Sequence, residues 1–258
     1  MYEKLALTVA GSDSGGGAGI QADLKTFEAH GVYGASVVTA LTAQNTLGVR
    51  SSMPVPADFV RLQLEAVFED FGFGAIKTGM LADAQIVVAV ADVLQFLPVH
   101  VPLVVDPVMV STSGHRLLED SAVEAVMERL VPLAAVVTPN LPELFALTGV
   151  GDPIAAGKQL SRKFPNVYVL VKGGHADGDQ CTDVLWLDGQ SRSFTYPRVE
   201  TTHTHGTGCT LSAAIAAHLA LGDDVPTAVE KAKIFVHRAL VHAPTHIGKG
   251  RGPVAWRH

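Results

Sequence analysis

The feature that most constrains the fold is an alternation of two kinds of segment along the chain. Leu5–Ala10, Ser36–Leu41, Ala75–Thr78, Leu103–Asp106, Ala135–Thr138 and Val167–Lys172 are short runs rich in Val, Ile and Leu with few polar residues inside. Such runs suit parallel strands covered on both faces. Between them the spacing turns helical: Val60, Leu64, Val67, Phe68 and Phe71 form one apolar stripe, and Ile86, Val90, Val93, Leu94 and Leu97 another. Strands alternating with amphipathic helices imply right-handed βαβ units. The expected fold class is α/β, a central, mainly parallel β-sheet flanked by helices on both faces. Later, Cys181–Leu187 and Ser193–Tyr196 flank Asp188-Gly189-Gln190, a hairpin signature. Two helices follow, one carrying Leu211, Ile215 and Leu219 on a single face, the next Val225, Val229, Ala232, Val236 and Ala239. No linker, low-complexity tract or repeat interrupts the pattern, so residues 1–258 read as one domain.

Composition narrows the function classes. Apolar residues make up 48% and charged residues 17%, which excludes a disordered chain. The net charge is −6 and Lys and Arg form no stripe, which argues against a nucleic-acid surface or an anionic membrane. The mean hydropathy of +0.28 raises the question of a membrane span. The most apolar stretch, residues 86–110, is broken by Asp92, Gln95, Pro98, His100, Pro102, Asp106 and Pro107. No run reaches the ~20 residues a bilayer requires. Met1-Tyr2-Glu3-Lys4 does not open a secretory signal, and Cys181 and Cys209 make no disulfide framework. The expectation is a soluble, cytoplasmic protein.

Open α/β sheets bind ligands beyond the carboxyl ends of their strands, and four segments at such ends carry unusual residues. Gly11-Ser12-Asp13-Ser14-Gly15-Gly16-Gly17-Ala18-Gly19 precedes a helix through Ile20–Ala29. Five glycines in nine residues let backbone approach a ligand closely. The spacing nevertheless matches neither G-x-G-x-x-G nor a Walker A loop, and a plain strand–helix turn is the alternative. Asp106-Pro107-Val108-Met109-Val110 follows a strand, where a carboxylate could hold hydrated Mg²⁺ or simply cap a turn. In Thr138-Pro139-Asn140-Leu141-Pro142-Glu143, Asn140 and Glu143 suffice as a capping arrangement for the next helix. Gly206-Thr207-Gly208-Cys209-Thr210 opens a helix whose first N–H groups and dipole favour a negative charge. Such a site can stabilise a phosphoryl group in transit. Cys209 falls in that first turn, where the thiol pKa is expected to drop and a thiolate could take a proton from an attacking hydroxyl. A buried, inert cysteine is the alternative.

Eleven histidines, His203 and His205 among them, show no zinc spacing and are expected to line a cleft or the surface. Lys172 ends a strand before Gly173-Gly174, placed to bind phosphate or to neutralise a carboxylate.

Taken together, these segments resemble the hydroxymethylpyrimidine kinase / phosphomethylpyrimidine kinase family of thiamin biosynthesis, in the ribokinase-like superfamily. The resemblance runs along essentially the whole chain. It is carried by Ala10–Asp13 with Gly16–Thr26, then Thr42–Thr46, Lys77–Leu81, Val105–Met109, Val171–His175, Thr204–Ser212 and Gly248–Val254. It implies phosphorylation of 4-amino-5-hydroxymethyl-2-methylpyrimidine by ATP, first to the monophosphate and then to the diphosphate. By that resemblance Gln44 looks like the residue that pairs with the aminopyrimidine edge, an amide offering donor and acceptor side by side. Gly11, Asp23, Met80 and Val108 look like the rest of that pocket. Asp106, Asn140 and Glu143 resemble the Mg²⁺ and phosphate neighbourhood, with Asp106 and Glu143 as metal ligands. Lys172 resembles a phosphate-facing lysine, and Gly206, Thr207, Gly208 and Cys209 an anion hole. Relatives suggest a homodimer. Ser14-Gly15 stands where the family usually has Pro-Ser, and Cys209 where the superfamily's sugar kinases have Asp, which leaves the general base open. The alternatives are a pyridoxal or pyridoxine kinase on the same fold, or a non-catalytic pyrimidine-binding regulator.

Overall fold

The computed structural model describes residues 2–97, 101–109, 120–174 and 178–257. Pro98, His100, Val110 and His175 lie outside the described residues. The chain runs β1 (Leu5–Asp13), α1 (Gly19–Ala29), β2 (Tyr33–Asn45), β3 (Gly48–Pro54), α2 (Ala57–Asp70), β4 (Ala75–Thr78), α3 (Ala84–Leu94), β5 (Leu103–Val105) and α4 (Asp120–Ala125). It continues with β6 (Val136–Val137), α5 (Leu141–Thr148), α6 (Pro153–Lys163), β7 (Tyr168–Val171), β8 (Gln180–Leu187), β9 (Gln190–Pro197), α7 (Thr207–Ala220) and α8 (Val225–Val241). Among the described residues the strands form a nine-stranded sheet in the order β3-β2-β1-β4-β5-β6-β7-β8-β9. The six strands from β2 to β7 in that order are parallel, and β3, β8 and β9 are antiparallel additions at the edges.

The apolar runs are strands buried on both faces, as their composition requires. Side chains alternate across a strand, and here the alternation sorts them into two cores. Leu7, Val9, Leu103, Val105, Val137, Val169 and Val171 point to one side, packed with Val60 and Leu64 of α2, Ile86 and Val90 of α3, and Leu160 of α6. Ala6, Ala75, Val104, Val136 and Leu170 point to the other, under Phe27 of α1, Ile215 of α7 and Val229 of α8. Trimming a side chain such as Phe27, fully buried, costs about 3–5 kcal/mol.

The β8–β9 hairpin closes on Asp188 (φ 45°) and Gly189 (φ 75°), both left-handed as a two-residue hairpin turn demands. Two elements depart from expectation. β1 runs on to Asp13, bulging between Ala10 and Ser12, so the first part of the glycine-rich segment is strand. β3 was not foreseen, because Gly48–Pro54 lies mostly exposed at the sheet edge and carries no apolar alternation. β1 lies between β2 and β4, and connections depart on opposite sides of it, which opens a crevice at the strands' carboxyl ends.

Candidate active site

That crevice is a cavity of about 970 Å³. Every strand in the parallel part of the sheet contributes to it from its C-terminal end: Gly11 and Asp13 from β1, Gln44 from β2, Met80 after β4, Asp106 and Val108 after β5, Asn140 and Glu143 after β6, and Lys172 after β7. Gly206, Thr207, Gly208 and Cys209 close it at the start of α7. The structure thus brings together all but one of the site residues read from sequence. The exception is Asp23. Expected in the ring pocket, it is fully buried behind the wall, where its Oδ2 accepts from Lys77 Nζ (2.8 Å) and Thr8 Oγ1 (2.6 Å). It pairs with Lys77, which lines the cavity.

The turn into α7 depends on Gly206. It is left-handed (φ 79°), and a Cβ there would lie 1.8 Å from the Gly17 carbonyl oxygen, so no other residue fits. Thr207 spends its N–H on the Thr204 carbonyl (3.2 Å) and its hydroxyl on the same oxygen (2.7 Å). Thr207 therefore gives its N–H to the turn itself, and Gly208 and Cys209 are among the first-turn donors left for a ligand. Gly208 stands beside the charged cluster, for a Cβ on it would come 3.7 Å from Lys172 Nζ and 3.9 Å from Asp106 Oδ2.

In that cluster Asp106 is almost wholly buried. Its Oδ1 accepts from Lys172 Nζ (2.9 Å) and Thr138 Oγ1 (3.1 Å), its Oδ2 from Ser212 Oγ (3.1 Å). Lys172 also lies 3.6 Å from Glu143 Oε2. Burial works against the lysine's charge, but the two carboxylates outweigh it and hold its pKa well above the usual lysine range. Asn140 and Glu143 form the capping box: Asn140 N–H donates to Glu143 Oε2 (2.8 Å) and Glu143 N–H to Asn140 Oδ1 (2.9 Å). Burial and the neighbouring Asp106 charge raise the Glu143 pKa, with Lys172 pulling against them. Two buried carboxylates against one lysine leave excess negative charge, which fits a hydrated Mg²⁺ arriving with phosphates. Among the described residues no group of three or more His, Cys, Asp or Glu could hold a metal unaided.

Cys209 corrects an expectation. Its thiol is not depressed but pushed up to about 11: burial dominates, Asp23 and Asp106 add to it, and Lys77 and a hydrogen bond from the Gly19 backbone N–H only partly oppose it. Helix position alone would have lowered it, but carboxylates in a poorly solvated wall win. Lys77 itself stays charged: burial works against it, and Asp23, Cys209 and Asp106 hold its pKa up.

Sequence reasoning missed several lining residues. Lys77 could have been found, as the lone charge inside the apolar strand Ala75–Thr78. Lys233 could too, since it interrupts the buried stripe of α8; it pairs with Asp183 (2.7 Å) and lines the cavity with Tyr196 and His237. His205, one of the histidines expected to line a cleft or the surface, lines the cavity beside Asp13.

A cavity at the sheet's switch point, lined by a helix N-terminus, a lysine, two carboxylates and the Gln44 amide, fits a small-molecule phosphotransferase of ribokinase-like fold. Among solved structures with this fold is the pyridoxal kinase of Staphylococcus aureus in complex with AMP-PCP and pyridoxal. It is 36% identical with a TM-score of 0.86, over 97% of this chain and 92% of that one. The family model for phosphomethylpyrimidine kinase matches residues 13–255, and the chain belongs to that family. It is 51% identical to the hydroxymethylpyrimidine/phosphomethylpyrimidine kinase of Rhizobium meliloti over 98% of this chain and 97% of that protein. To the enzyme of the same name from Haemophilus influenzae it is 49% identical, over 97% and 95%.

Proposed function

We propose that this chain transfers the γ-phosphoryl of ATP to the hydroxymethyl group of 4-amino-5-hydroxymethyl-2-methylpyrimidine, and then phosphorylates the monophosphate to the diphosphate for thiamin synthesis. The observation that carries this reading is one cavity joining the α7 amide turn and Lys172–Asp106 to the pocket of Gln44, Gly11, Met80 and Val108. The ring lies against Met80 with its polar edge on Gln44, and its hydroxyl faces the turn. The nucleotide lies in the remaining lobe, bounded by Tyr196, Val236, His237 and Leu240.

In the first transfer the hydroxyl oxygen forms a bond to phosphorus as the bond to the β-phosphate oxygen breaks, and the hydroxyl proton leaves; in the second an oxygen of the bound monophosphate attacks phosphorus in the same way, with ADP again leaving. Little covalent help is needed, so positioning and charge stabilisation dominate. The Gly208 and Cys209 N–H groups and Lys172 meet the equatorial oxygens, and Cys209 accepts the departing proton. Mg²⁺ held through Asp106 and Glu143 supplies charge neutralisation on the phosphates when bound.

The protein works as a single domain over residues 1–258, in the cytoplasm, and pairs as a homodimer. Exposed Leu41, Leu47, Met53, Phe59 and Leu62 around the β2–β3 edge and α2 support that pairing. No described helix is long and apolar enough to cross a membrane. The similarity to a pyridoxal kinase makes pyridoxal the second substrate to try. The test is phosphorus NMR of purified protein with ATP, Mg²⁺ and either alcohol. Appearance of a pyrimidine monophosphate and then a diphosphate supports the reading; ligand binding without turnover would make the chain a regulator instead.

A further inference from the structure

On the reading that the ring pocket holds an aminopyrimidine, the orientation of Gln44 depends on what fixes its amide. His205 Nε2 lies 2.9 Å from Asp13 Oδ2 and 3.1 Å from the terminal nitrogen position of the Gln44 amide. A carboxylate only accepts, so the hydrogen between Asp13 and His205 sits on Nε2. Asp13 is firmly anionic in function: its Oδ2 also accepts from Gly17 N–H (2.9 Å) and Ala18 N–H (2.8 Å), and its Oδ1 from Gly15 N–H (2.8 Å). A protonated Nε2 has no lone pair for an amide N–H, and its one hydrogen lies between Asp13 Oδ2 and the Gln44 amide. A half-turn of the amide exchanges its oxygen and nitrogen, and only with the oxygen toward His205 can Gln44 share that hydrogen with Asp13 in a three-centre bond. The assembly is built to hold this contact. The His205 ring packs on Gly17, where a Cβ would lie 2.5 Å from its Cδ2, and His205 N–H is tied to the Gly252 carbonyl (3.1 Å).

We propose that His205, held by Asp13, is a positioning residue that locks the Gln44 amide in one orientation and thereby sets substrate choice. Beside its CH₂OH, the aminopyrimidine presents an amino donor and then a ring-nitrogen acceptor. Pyridoxal presents an aldehyde acceptor and then a hydroxyl in the corresponding places. A freely turning amide serves either order. A locked amide, oxygen on the His205 side, matches the amino group and sets two acceptors against each other with the aldehyde. Leaving such a pair unmatched in a buried site costs on the order of tenfold or more in selectivity.

The test compares kcat/KM for the aminopyrimidine and for pyridoxal in the wild type, His205→Leu and His205→Gln. Expected is a wild-type preference for the aminopyrimidine. His205→Leu should lose roughly tenfold of that ratio, mainly through KM, while His205→Gln, whose own amide can donate to Asp13, should restore it. An unchanged ratio in His205→Leu, or a wild type that favours pyridoxal, overturns the lock. If the wild type phosphorylates neither alcohol, the kinase reading itself fails. Should His205→Leu not fold, long-range ¹H–¹⁵N NMR of the wild type decides: the Nε2–H tautomer supports the lock, and a neutral Nδ1–H ring overturns it.

Discussion

The sharpest consequence of the site's electrostatics concerns Cys209. A thiol pushed up to about 11 is ionised in only about one molecule in a thousand at pH 8, and that fraction grows tenfold per pH unit until the pKa is reached. If the thiolate takes the hydroxyl proton, kcat must climb with pH in step, with a slope near +1 in log kcat between pH 7.5 and 9.5. Replacing Cys209 by Ala removes the acceptor but leaves the Gly208 and residue-209 N–H groups, Lys172 and Asp106 in place. General-base contributions are typically 10²–10⁴-fold, so Cys209→Ala should lower kcat by about 100-fold at pH 8 and flatten the slope. KM for the pyrimidine should hardly change. The assay is initial-rate ATP consumption at saturating Mg·ATP and pyrimidine across that range, with a thermal melt at each pH to exclude unfolding. A Cys209→Ala enzyme with the wild-type slope, or with unchanged turnover, would show that the proton goes elsewhere.

Other perturbations have outcomes that follow from the packing. Lys77→Met strands a fully buried Asp23 and should cost about 3–5 kcal/mol; the double variant with Asp23→Leu should be less destabilised than Lys77→Met alone, read by urea unfolding. Gly206→Ala must relieve an overlap with the Gly17 carbonyl and should abolish turnover at pH 8 even where the protein still melts cooperatively. Lys172→Met leaves Asp106 and Glu143 facing each other without their cation, so KM for ATP should rise and kcat fall at least tenfold in steady-state assays. Asn140→Ala removes one half of the capping box and should cost about 0.5–2 kcal/mol of stability, measured by denaturant melts.

Much of this architecture was legible because the parallel strands are buried on both sides and so read as unbroken apolar runs. The hairpin was legible because Asp188-Gly189 is the pair a left-handed turn selects. The edge strand β3 was not, since an exposed strand held mainly by backbone pairing to β2 leaves no hydrophobic signature. In the site, the glycine-rich segment, Asp106, Asn140 with Glu143, Lys172 and the turn at Gly206 could be singled out because the topology puts strand ends on one rim, whereas Gln44, Met80 and Val108 followed only from the family resemblance. What sequence could not give was how charges share the space. The thiol of Cys209 rises chiefly because folding buries it, and further because Asp23, from the first helix, and Asp106 lie near it. Asp23 looked like a pocket residue and proved to be the buried partner of Lys77. His205 gained meaning only when folding set it between Asp13 and Gln44.

The account stands on the amides of Gly208 and Cys209 receiving the phosphoryl group that the ring alcohol attacks. A crystal structure with the aminopyrimidine and a non-hydrolysable ATP analogue measures this directly. The γ-phosphate oxygens should lie about 2.7–3.2 Å from those two nitrogens, with the pyrimidine hydroxyl about 3–3.5 Å from phosphorus. A γ-phosphate bound away from the start of α7, or a ring whose hydroxyl turns from it, would contradict the account.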